Sequence, residues 1–161
     1  GKELNIDLPT ILEAINNFPG LEHRQEFVKT SGKVTFINDS KATNAEAAAK
    51  ALAAFDKIYW ILGGLPKQDG LTATAPYFPK IKHAFIVGEA MKTFPDELDG
   101  KIPYTLADTI ENAVKLSYEK ALADGLDHAT ILLSPACASF DQYKNFELRG
   151  QAFKECVLKM K

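Results

Sequence analysis

Three short stretches of the sequence carry groups that could bind a charged ligand: NDSKATN at 38–44, GGLPKQDG at 63–70 and SPACASFDQYKNF at 134–146. They contain Ser or Thr hydroxyls, lysines, or backbone that glycine leaves uncovered. Lysine supplies a point charge, and a helix that begins just after such a stretch supplies oriented N–H groups. This combination suits a small ligand that carries more than one negative charge.

Each stretch taken alone also has a plainer interpretation. Thr43 or Asn44 would serve as a helix cap, and Asp39 and Ser40 would be turn-forming residues. GGLPK would be a Gly-Pro turn with a solvated lysine. The functional interpretation requires that the three stretches meet in space, and this depends on the elements that carry them.

Apolar patterns predict those elements. Leu8 to Phe18 have helical spacing that ends at Pro19-Gly20, and QEFVK and KVTFIN predict a hairpin that turns at Gly32. From residue 39 onward, strands and helices alternate. Later strands are predicted at KIYWILGG, HAFIVG, PYTLA and ATILLS, and helices are clearest at 108–123 and from about Phe146 to the C-terminus.

These elements predict a Rossmann-like α/β fold: a doubly wound, mainly parallel sheet with an antiparallel hairpin at its N-terminal end. Ligands of open parallel sheets bind beyond the carboxyl ends of the strands. All three polar stretches follow predicted strands. We therefore expect them at one edge of the sheet.

Length and composition limit the function classes. The 161 residues suit a single domain spanning 1–161, with 46% hydrophobic and 25% charged residues. A net charge of −2 gives no electrostatic reason to bind nucleic acid or a membrane surface. We expect no signal peptide, and two cysteines without a disulfide framework favour the cytoplasm.

Several chemistries have little support in the sequence. Lys67 lies between Pro66 and Gln68, so GGLPKQDG does not match the P-loop motif G-x-x-x-x-G-K-[ST] of ATP-binding domains. The sequence has no G-x-S-x-G elbow and no convincing histidine partner for a nucleophile, so it does not indicate a serine or cysteine hydrolase. No His, Cys or carboxylate set has metal-ligand spacing, so no metal site is expected. We expect His83 and His128 to precede strands and be structural, and Cys137 to be a small buried hydrophobe.

Four motifs, GLEHRQEFV, INDSKATN, LGGLPKQDG and SPACASFDQYKNFELRGQAF, together resemble the C-terminal domain of the Mur ligases, in the branch that adds D-glutamate to a peptidoglycan precursor. The resemblance runs from about Leu8 to the C-terminus. Members of this family have two further domains, one for the UDP-sugar and one P-loop ATPase domain. The resemblance implies that ATP and Mg²⁺ are held mainly by the domains absent from this sequence.

The resemblance also implies a reaction and a role for each residue. In such ligases ATP phosphorylates the carboxylate of UDP-N-acetylmuramoyl-L-alanine, and the amine of D-glutamate attacks the acyl phosphate. This domain would hold D-glutamate and close over the nucleotide, and the protein would act as a monomer in the cytoplasm. The implied D-glutamate contacts are Thr43, Lys67, Ser139, Phe146 and the Phe140 backbone. The implied catalytic residues are Lys41, beside the phosphoryl group, and Arg24, at the γ-phosphate. The implied nucleotide contacts are Arg24, Asp39 at the ribose, Asn44 and His23.

Two other functions remain open. The chain could belong to a related Mur or folylpolyglutamate-type ligase with a different amino acid. It could also be a stand-alone module that binds an acidic metabolite without catalysis. As an excised ligase domain, it is expected to be inactive alone.

Overall fold

The structure is a computed structural model, and it describes residues 20–160. The helix that the sequence predicts at residues 8–18 lies outside these described residues. Within the described part of the chain, no helix has both the length and the apolar character needed to cross a bilayer.

Six strands form one sheet in the order β1-β2-β6-β3-β4-β5. β1 and β2 pair antiparallel as a hairpin, and every other neighbouring pair is parallel. Gly32 turns the hairpin with a φ of 59°, a conformation that glycine adopts without steric cost. The strands are β1 (Glu26–Ser31), β2 (Val34–Asn38), β3 (Ile58–Gly63), β4 (Ile81–Val87), β5 (Tyr104–Asp108) and β6 (Ala129–Leu133).

Helices cover both faces of this sheet, and each face has its own apolar core. Successive residues of a strand point to opposite faces, so Trp60 packs on one side and Tyr59 and Ile61 on the other. One face carries α1 (Ala45–Ala54), α2 (Phe94–Leu98) and two 3₁₀ segments, Thr72–Lys80 and Gly88–Lys92. The other face carries α3 (Ile110–Asp124) and α4 (Phe146–Lys159).

The predicted fold is confirmed: an α/β sheet, mostly parallel, with one antiparallel hairpin. Cys137 is fully buried as predicted, and burial raises the pKa of its thiol to about 12. The prediction for His83 was wrong in one respect, because this residue lies inside β4 instead of before it. Its Nε2 atom lies 2.8 Å from the hydroxyl of Thr105 on β5, so the imidazole bridges two strands.

Candidate active site at the carboxyl edge of the sheet

The three polar stretches lie side by side because of the strand order. β6 sits between β2 and β3, so the stretch after β6 is flanked by the other two at the carboxyl edge. The backbone N–H of Asp39 donates to the carbonyl of Leu133 at 2.7 Å, and that of Gly63 donates to Pro135 at 2.9 Å. Backbone hydrogen bonds therefore join the outer two stretches to the middle one.

Asp39 is held by donors from two different segments. Its Oδ2 accepts the Ser134 hydroxyl at 2.8 Å, and its Oδ1 accepts the backbone N–H of Gln25 at 3.1 Å. Burial raises the pKa of Asp39 above its ordinary 3.8, against the opposing effects of these two donors and of Arg24. Because Asp39 is 4% exposed, its first role is to hold the loop in place. The ribose contact implied by the resemblance stays a prediction.

Arg149 joins α4 to two of the polar stretches. Its Nε donates to the Ser40 hydroxyl at 3.0 Å and its Nη2 to the Ser40 carbonyl at 2.9 Å, while its Nη1 lies 3.5 Å from the Gly63 carbonyl. The Ser40 hydroxyl in turn donates to the Phe146 carbonyl at 2.7 Å. Burial lowers the pKa of Arg149 to about 10, which leaves the guanidinium charged at neutral pH.

Lys67 lies at the tip of a loop that faces the start of α1. A short antiparallel bridge holds the base of this loop, since Leu65 and Ala138 exchange backbone hydrogen bonds at 2.9 and 3.2 Å. Lys67 and the N-cap residue Asn44 line one cavity of about 410 Å³. Lys67 and the first turn of α1 therefore face the same space, together with the acidic residues Glu46 and Asp69. An anionic group bound here would depend on the lysine and on the N–H groups of the helix.

A second, smaller cavity of about 180 Å³ lies on the other side of the β2 stretch. Its lining includes the cations Arg24, Lys41 and Lys50 together with the buried Asp39. The ammonium of Lys41 also lies 5.7 Å from the centre of the Phe146 ring, within cation–π range. Three cations around one carboxylate give this cavity an excess of positive charge.

His23 lies behind this second cavity, packed against α4. Its ring meets the Phe146 ring edge-on with centroids 6.1 Å apart, and Asn38 Nδ2 lies 2.9 Å from its Nδ1. A Cβ at Gly150 would lie 2.2 Å from Nδ1 of His23, so α4 needs glycine at this position. His23 is 6% exposed and acts here as a packing residue.

The remaining predicted residues differ in exposure. Thr43 is half-buried between Lys41 and the start of α1, and Ser139 is almost fully buried after the Leu65–Ala138 bridge. Phe140 is 71% exposed, which leaves its ring at the rim. The structure thus brings Lys67 and Asn44 to one cavity, and Arg24, Lys41 and Asp39 to the other. The two cavities border neighbouring turns of α1, Asn44–Glu46 on one side and Ala47 and Lys50 on the other.

The family model described as "Mur ligase, glutamate ligase domain" matches residues 23–137 of this chain. The chain belongs to this family. UDP-N-acetylmuramoylalanine–D-glutamate ligases of Rhizobium meliloti and Agrobacterium fabrum are 54% and 51% identical to this Mur ligase domain, each over 143 residues. These alignments cover 89% of the chain and 31% and 30% of the two relatives. A ligase of the same name from Rhodopseudomonas palustris is 48% identical over 158 residues, which is 96% of the chain and 34% of the relative. The chain therefore spans about a third of the length of the curated relatives it matches.

Among residues 20–160, one cluster has donor atoms close enough together for a metal ion: Glu22, His23 and Glu26, all within 4.8 Å of one another. Sequence spacing gave no hint of it. Lys154 already donates to both carboxylates, at 3.0 and 2.7 Å, so a cation of the protein is paired with the cluster. The donor set therefore fits an ion-pair network better than a divalent metal.

Arg149 is the main site residue that the sequence interpretation missed. It falls in the quoted motif FELRG, yet a single arginine on a helix is usually solvated. The available signal was its spacing: Arg149, Phe153 and Val157 are four residues apart, so they share one face of α4, and all three are buried. A cation on the apolar face of an amphipathic helix must find acceptors inside the protein.

Proposed function

We propose that this chain is the amino-acid-binding domain of an ATP-dependent ligase that joins D-glutamate to UDP-N-acetylmuramoyl-L-alanine during peptidoglycan precursor synthesis. The family membership and the names of the relatives support this proposal. The observation that carries it is the pair of cavities beside the start of α1, one lined by Lys67 and the other by Arg24 and Lys41. An acidic amino acid and a phosphate-bearing nucleotide need two neighbouring sites, each with at least one cation.

The cavity of Lys67 is proposed for D-glutamate. The ammonium would pair with one carboxylate, and hydroxyls and backbone N–H groups at Thr43, Ser139 and Phe140 would serve the other. Phe146, whose ring centre lies 5.7 Å from the Lys41 ammonium, would contact the ligand from the side of the second cavity. This division is supported by the Leu65–Ala138 bridge, which brings the Lys67 loop against the segment that leads to Ser139.

The cavity of Arg24 and Lys41 is proposed for the phosphate end of ATP, which is held mainly by the rest of the protein. The fit rests on the donor set: the cations exceed the carboxylates, and the one carboxylate, Asp39, is occupied by Ser134 and Gln25. When bound, the nucleotide supplies the phosphoryl group that activates the acceptor carboxylate. Arg24 and Lys41 would neutralise charge on that group, a positioning role. The nucleotide contacts of His23 and Asn44 stay predictions, because His23 is buried and Asn44 lines the cavity of Lys67.

The two proposed sites lie at the same edge of the sheet, and this proximity would give the domain its part in catalysis. D-glutamate would be held with its amine directed toward the activated carboxylate, so that a reaction between separate molecules becomes one between held groups. Closure of the domain over the nucleotide would exclude the water that competes with the amine. Because ATP and the UDP-linked sugar are cytoplasmic metabolites, the proposed reaction takes place in the cytoplasm.

The test is a comparison of two variants in the complete ligase that contains this domain. Lys67→Ala should raise KM for D-glutamate by roughly tenfold or more, since a charge-assisted contact is worth about 1.5–3 kcal/mol, and should change KM for ATP little. Arg24→Ala should act on KM for ATP and on kcat, and leave KM for D-glutamate nearly unchanged. Steady-state phosphate release with each substrate varied in turn measures all three quantities.

Substrate dependence separates the alternatives. Phosphate release should require D-glutamate and the nucleotide sugar together. If another amino acid replaced D-glutamate in this assay, the chain would belong to a related ligase. Tight binding of an acidic metabolite to this chain alone, with no ligase activity in the complete protein, would favour a binding module. Equal effects of Lys67→Ala on both KM values would contradict the role given to Lys67.

A further inference from the structure

The loop that carries Lys67 is fixed at both of its ends, and the second fixing point is a carboxylate from α2. We propose that Glu97 is a positioning residue for Lys67, which it holds in place through the backbone of Gly70 and Leu71. This inference rests on the proposed function of the Lys67 cavity. It concerns how the dicarboxylate site is built, and it assigns Glu97 no contact with a substrate.

The loop leaves β3 at a fixed point. Gly64 donates its N–H to the carbonyl of Val87 at 3.1 Å and accepts from Ala90 at 2.9 Å, and the next residue, Leu65, pairs with Ala138. The chain then runs outward through Pro66 to the exposed Lys67. Proline restricts φ in this outward segment, so the entry to the loop is stiff.

The loop returns through a tight turn. The backbone N–H of Gly70 donates to the carbonyl of Lys67 at 3.2 Å, which closes the segment 67–70. The side chain of Leu71 then enters the core at 2% exposure, and its carbonyl accepts both the N–H and the hydroxyl of Thr74, at 2.8 and 2.6 Å. The position of this turn therefore sets the position of Lys67.

Glu97 holds the turn at its inner end. Its Oε2 accepts the backbone N–H of Leu71 at 2.7 Å, a short hydrogen bond to an ionised group. Gly70 has a φ of +52°, and a Cβ at that position would lie 2.6 and 2.7 Å from the two carboxylate oxygens of Glu97. The carboxylate thus occupies the space directly against the turn. The Leu71 N–H donates to this carboxylate, and Gly70 leaves room for it because glycine has no Cβ.

The sequence separates Glu97 from the turn by 26 residues, and α2 lies on the same face of the sheet as α1. Lys67 and Asp69 line a cavity whose opposite wall is Asn44, Ala45 and Glu46 at the start of α1. Loss of the Glu97 hydrogen bond would free the inner end of the turn while β3 still holds the outer end. Lys67 would then sample positions away from the first turn of α1.

The experiment uses the complete ligase and four variants: Glu97→Ala, Glu97→Gln, Asp96→Ala and Lys67→Ala. Glu97→Ala should raise KM for D-glutamate about five- to tenfold, because the loss of one hydrogen bond leaves Lys67 less well positioned. KM for ATP should stay within about twofold of the parent value. Glu97→Gln keeps an amide oxygen that can accept from Leu71, so it should restore most of the affinity. Asp96→Ala removes an exposed carboxylate from the same helix and should behave as the parent enzyme.

The decisive measurement is the double variant Glu97→Ala with Lys67→Ala. Because Glu97 acts through Lys67, adding Glu97→Ala to the Lys67→Ala enzyme should not raise KM for D-glutamate further. Hydrogen exchange should show faster exchange of the Leu71 amide in Glu97→Ala and protection in Glu97→Gln. Gly70→Ala, which crowds the same carboxylate from the other side, should reproduce the selective rise in KM for D-glutamate.

Additive effects of the two alanine substitutions, or equal changes in both KM values, would overturn the role of Glu97. So would a Glu97→Gln enzyme as impaired as Glu97→Ala. A rise with Lys67→Ala but none with Glu97→Ala would reject this inference and leave the proposed function intact. No rise with Lys67→Ala would reject the proposed dicarboxylate site itself, and the inference with it.

Discussion

At the scale of single residues, the two interpretations of NDSKATN turn out to be compatible. Asn44 is the N-cap of α1, because its Oδ1 accepts the backbone N–H of Ala47 at 2.8 Å, and it also lines the cavity of Lys67. Sequence reasoning treated a cap and a site residue as alternatives. If the proposed site is correct, the cap has both roles, since the N–H groups that need capping are the ones that attract an anion.

These two roles of Asn44 can be separated by substitution. Asn44→Ala removes the cap and should cost about 1 kcal/mol of stability. Asn44→Asp keeps a capping oxygen but adds a negative charge beside the cavity, so it should retain stability and weaken D-glutamate binding by about 1 kcal/mol, or roughly fivefold in KM. Urea unfolding of this chain and steady-state kinetics of the complete ligase measure the two effects.

Thr109 offers a matched control for the added charge. It caps α3 through Asn112 N–H at 3.3 Å, beyond the end of β5 and outside both cavities. Thr109→Asp should therefore leave KM for D-glutamate unchanged. An Asn44→Asp enzyme with parent-like KM would show that the start of α1 does not face the bound anion.

At the scale of elements, the sequence predicted the six strands and the helices α3 and α4, but it did not predict which elements pack together. The hairpin of β1 and β2 was expected, but nothing in its pattern indicated that α4 packs on it. Lys154 on α4 donates to Glu22 and Glu26 at 3.0 and 2.7 Å, and Lys29 on β1 donates to the Met160 carbonyl at 2.6 Å. These pairs join residues more than 120 positions apart, and charged residues on exposed faces give no sign of which partner they will meet.

The contact between β1 and α4 should make stability depend on pH through Glu26. Burial acts to raise the pKa of Glu26, but the hydrogen bond and charge of Lys154, with donors from His23 and Asn38, lower it below the ordinary 4.5. A carboxylate whose pKa is lower in the folded state contributes stability above its unfolded pKa, and this contribution is lost as pH falls through the folded pKa. Glu26→Gln should thus cost about 0.5–1 kcal/mol at pH 7 and almost nothing well below pH 4.

Urea unfolding of this chain at a series of pH values tests the contact. The curves for the parent and Glu26→Gln should converge as the pH falls below 4.5, the ordinary pKa of the carboxyl. Lys154→Met, which removes the partner, should flatten the profile in the same window. Parallel curves across the whole range would mean that Glu26 stabilises the fold without its charge.

At the scale of the whole molecule, the sequence predicted the α/β class and the edge at which the three polar stretches meet, but the strand order is not encoded in any one pattern. β3, β4 and β6 are all short apolar runs, so periodicity cannot tell which of them lies beside β2. The structure inserts β6 between β2 and β3, and this insertion places the SPACASF segment between the other two polar stretches. The rule that ligands bind beyond the carboxyl ends of parallel strands predicts the edge at which the stretches lie. Their order along that edge follows only from the strand order of the complete sheet.

Arg149 shows how the completed sheet then holds its site together. It comes from α4 on one face and reaches Ser40 after β2 and Gly63 at the end of β3, so one side chain spans the carboxyl edge. Within residues 20–160 its acceptors are one hydroxyl and two backbone carbonyls, placed around a planar guanidinium. Lysine has a single nitrogen and cannot donate to both loops with that geometry.

Arg149→Lys should therefore destabilise this chain by about 2–4 kcal/mol although the charge is kept, since buried carbonyls of Ser40 and Gly63 would lose their donor. Urea unfolding followed by circular dichroism measures the loss. Arg24→Lys, the same change at an exposed position, should alter stability by less than about 0.5 kcal/mol and serves as the control. If Arg149→Lys were as stable as the parent, charge alone would suffice at this position. The several hydrogen bonds that the Arg149 guanidinium donates to Ser40 and Gly63 would then not be needed for stability.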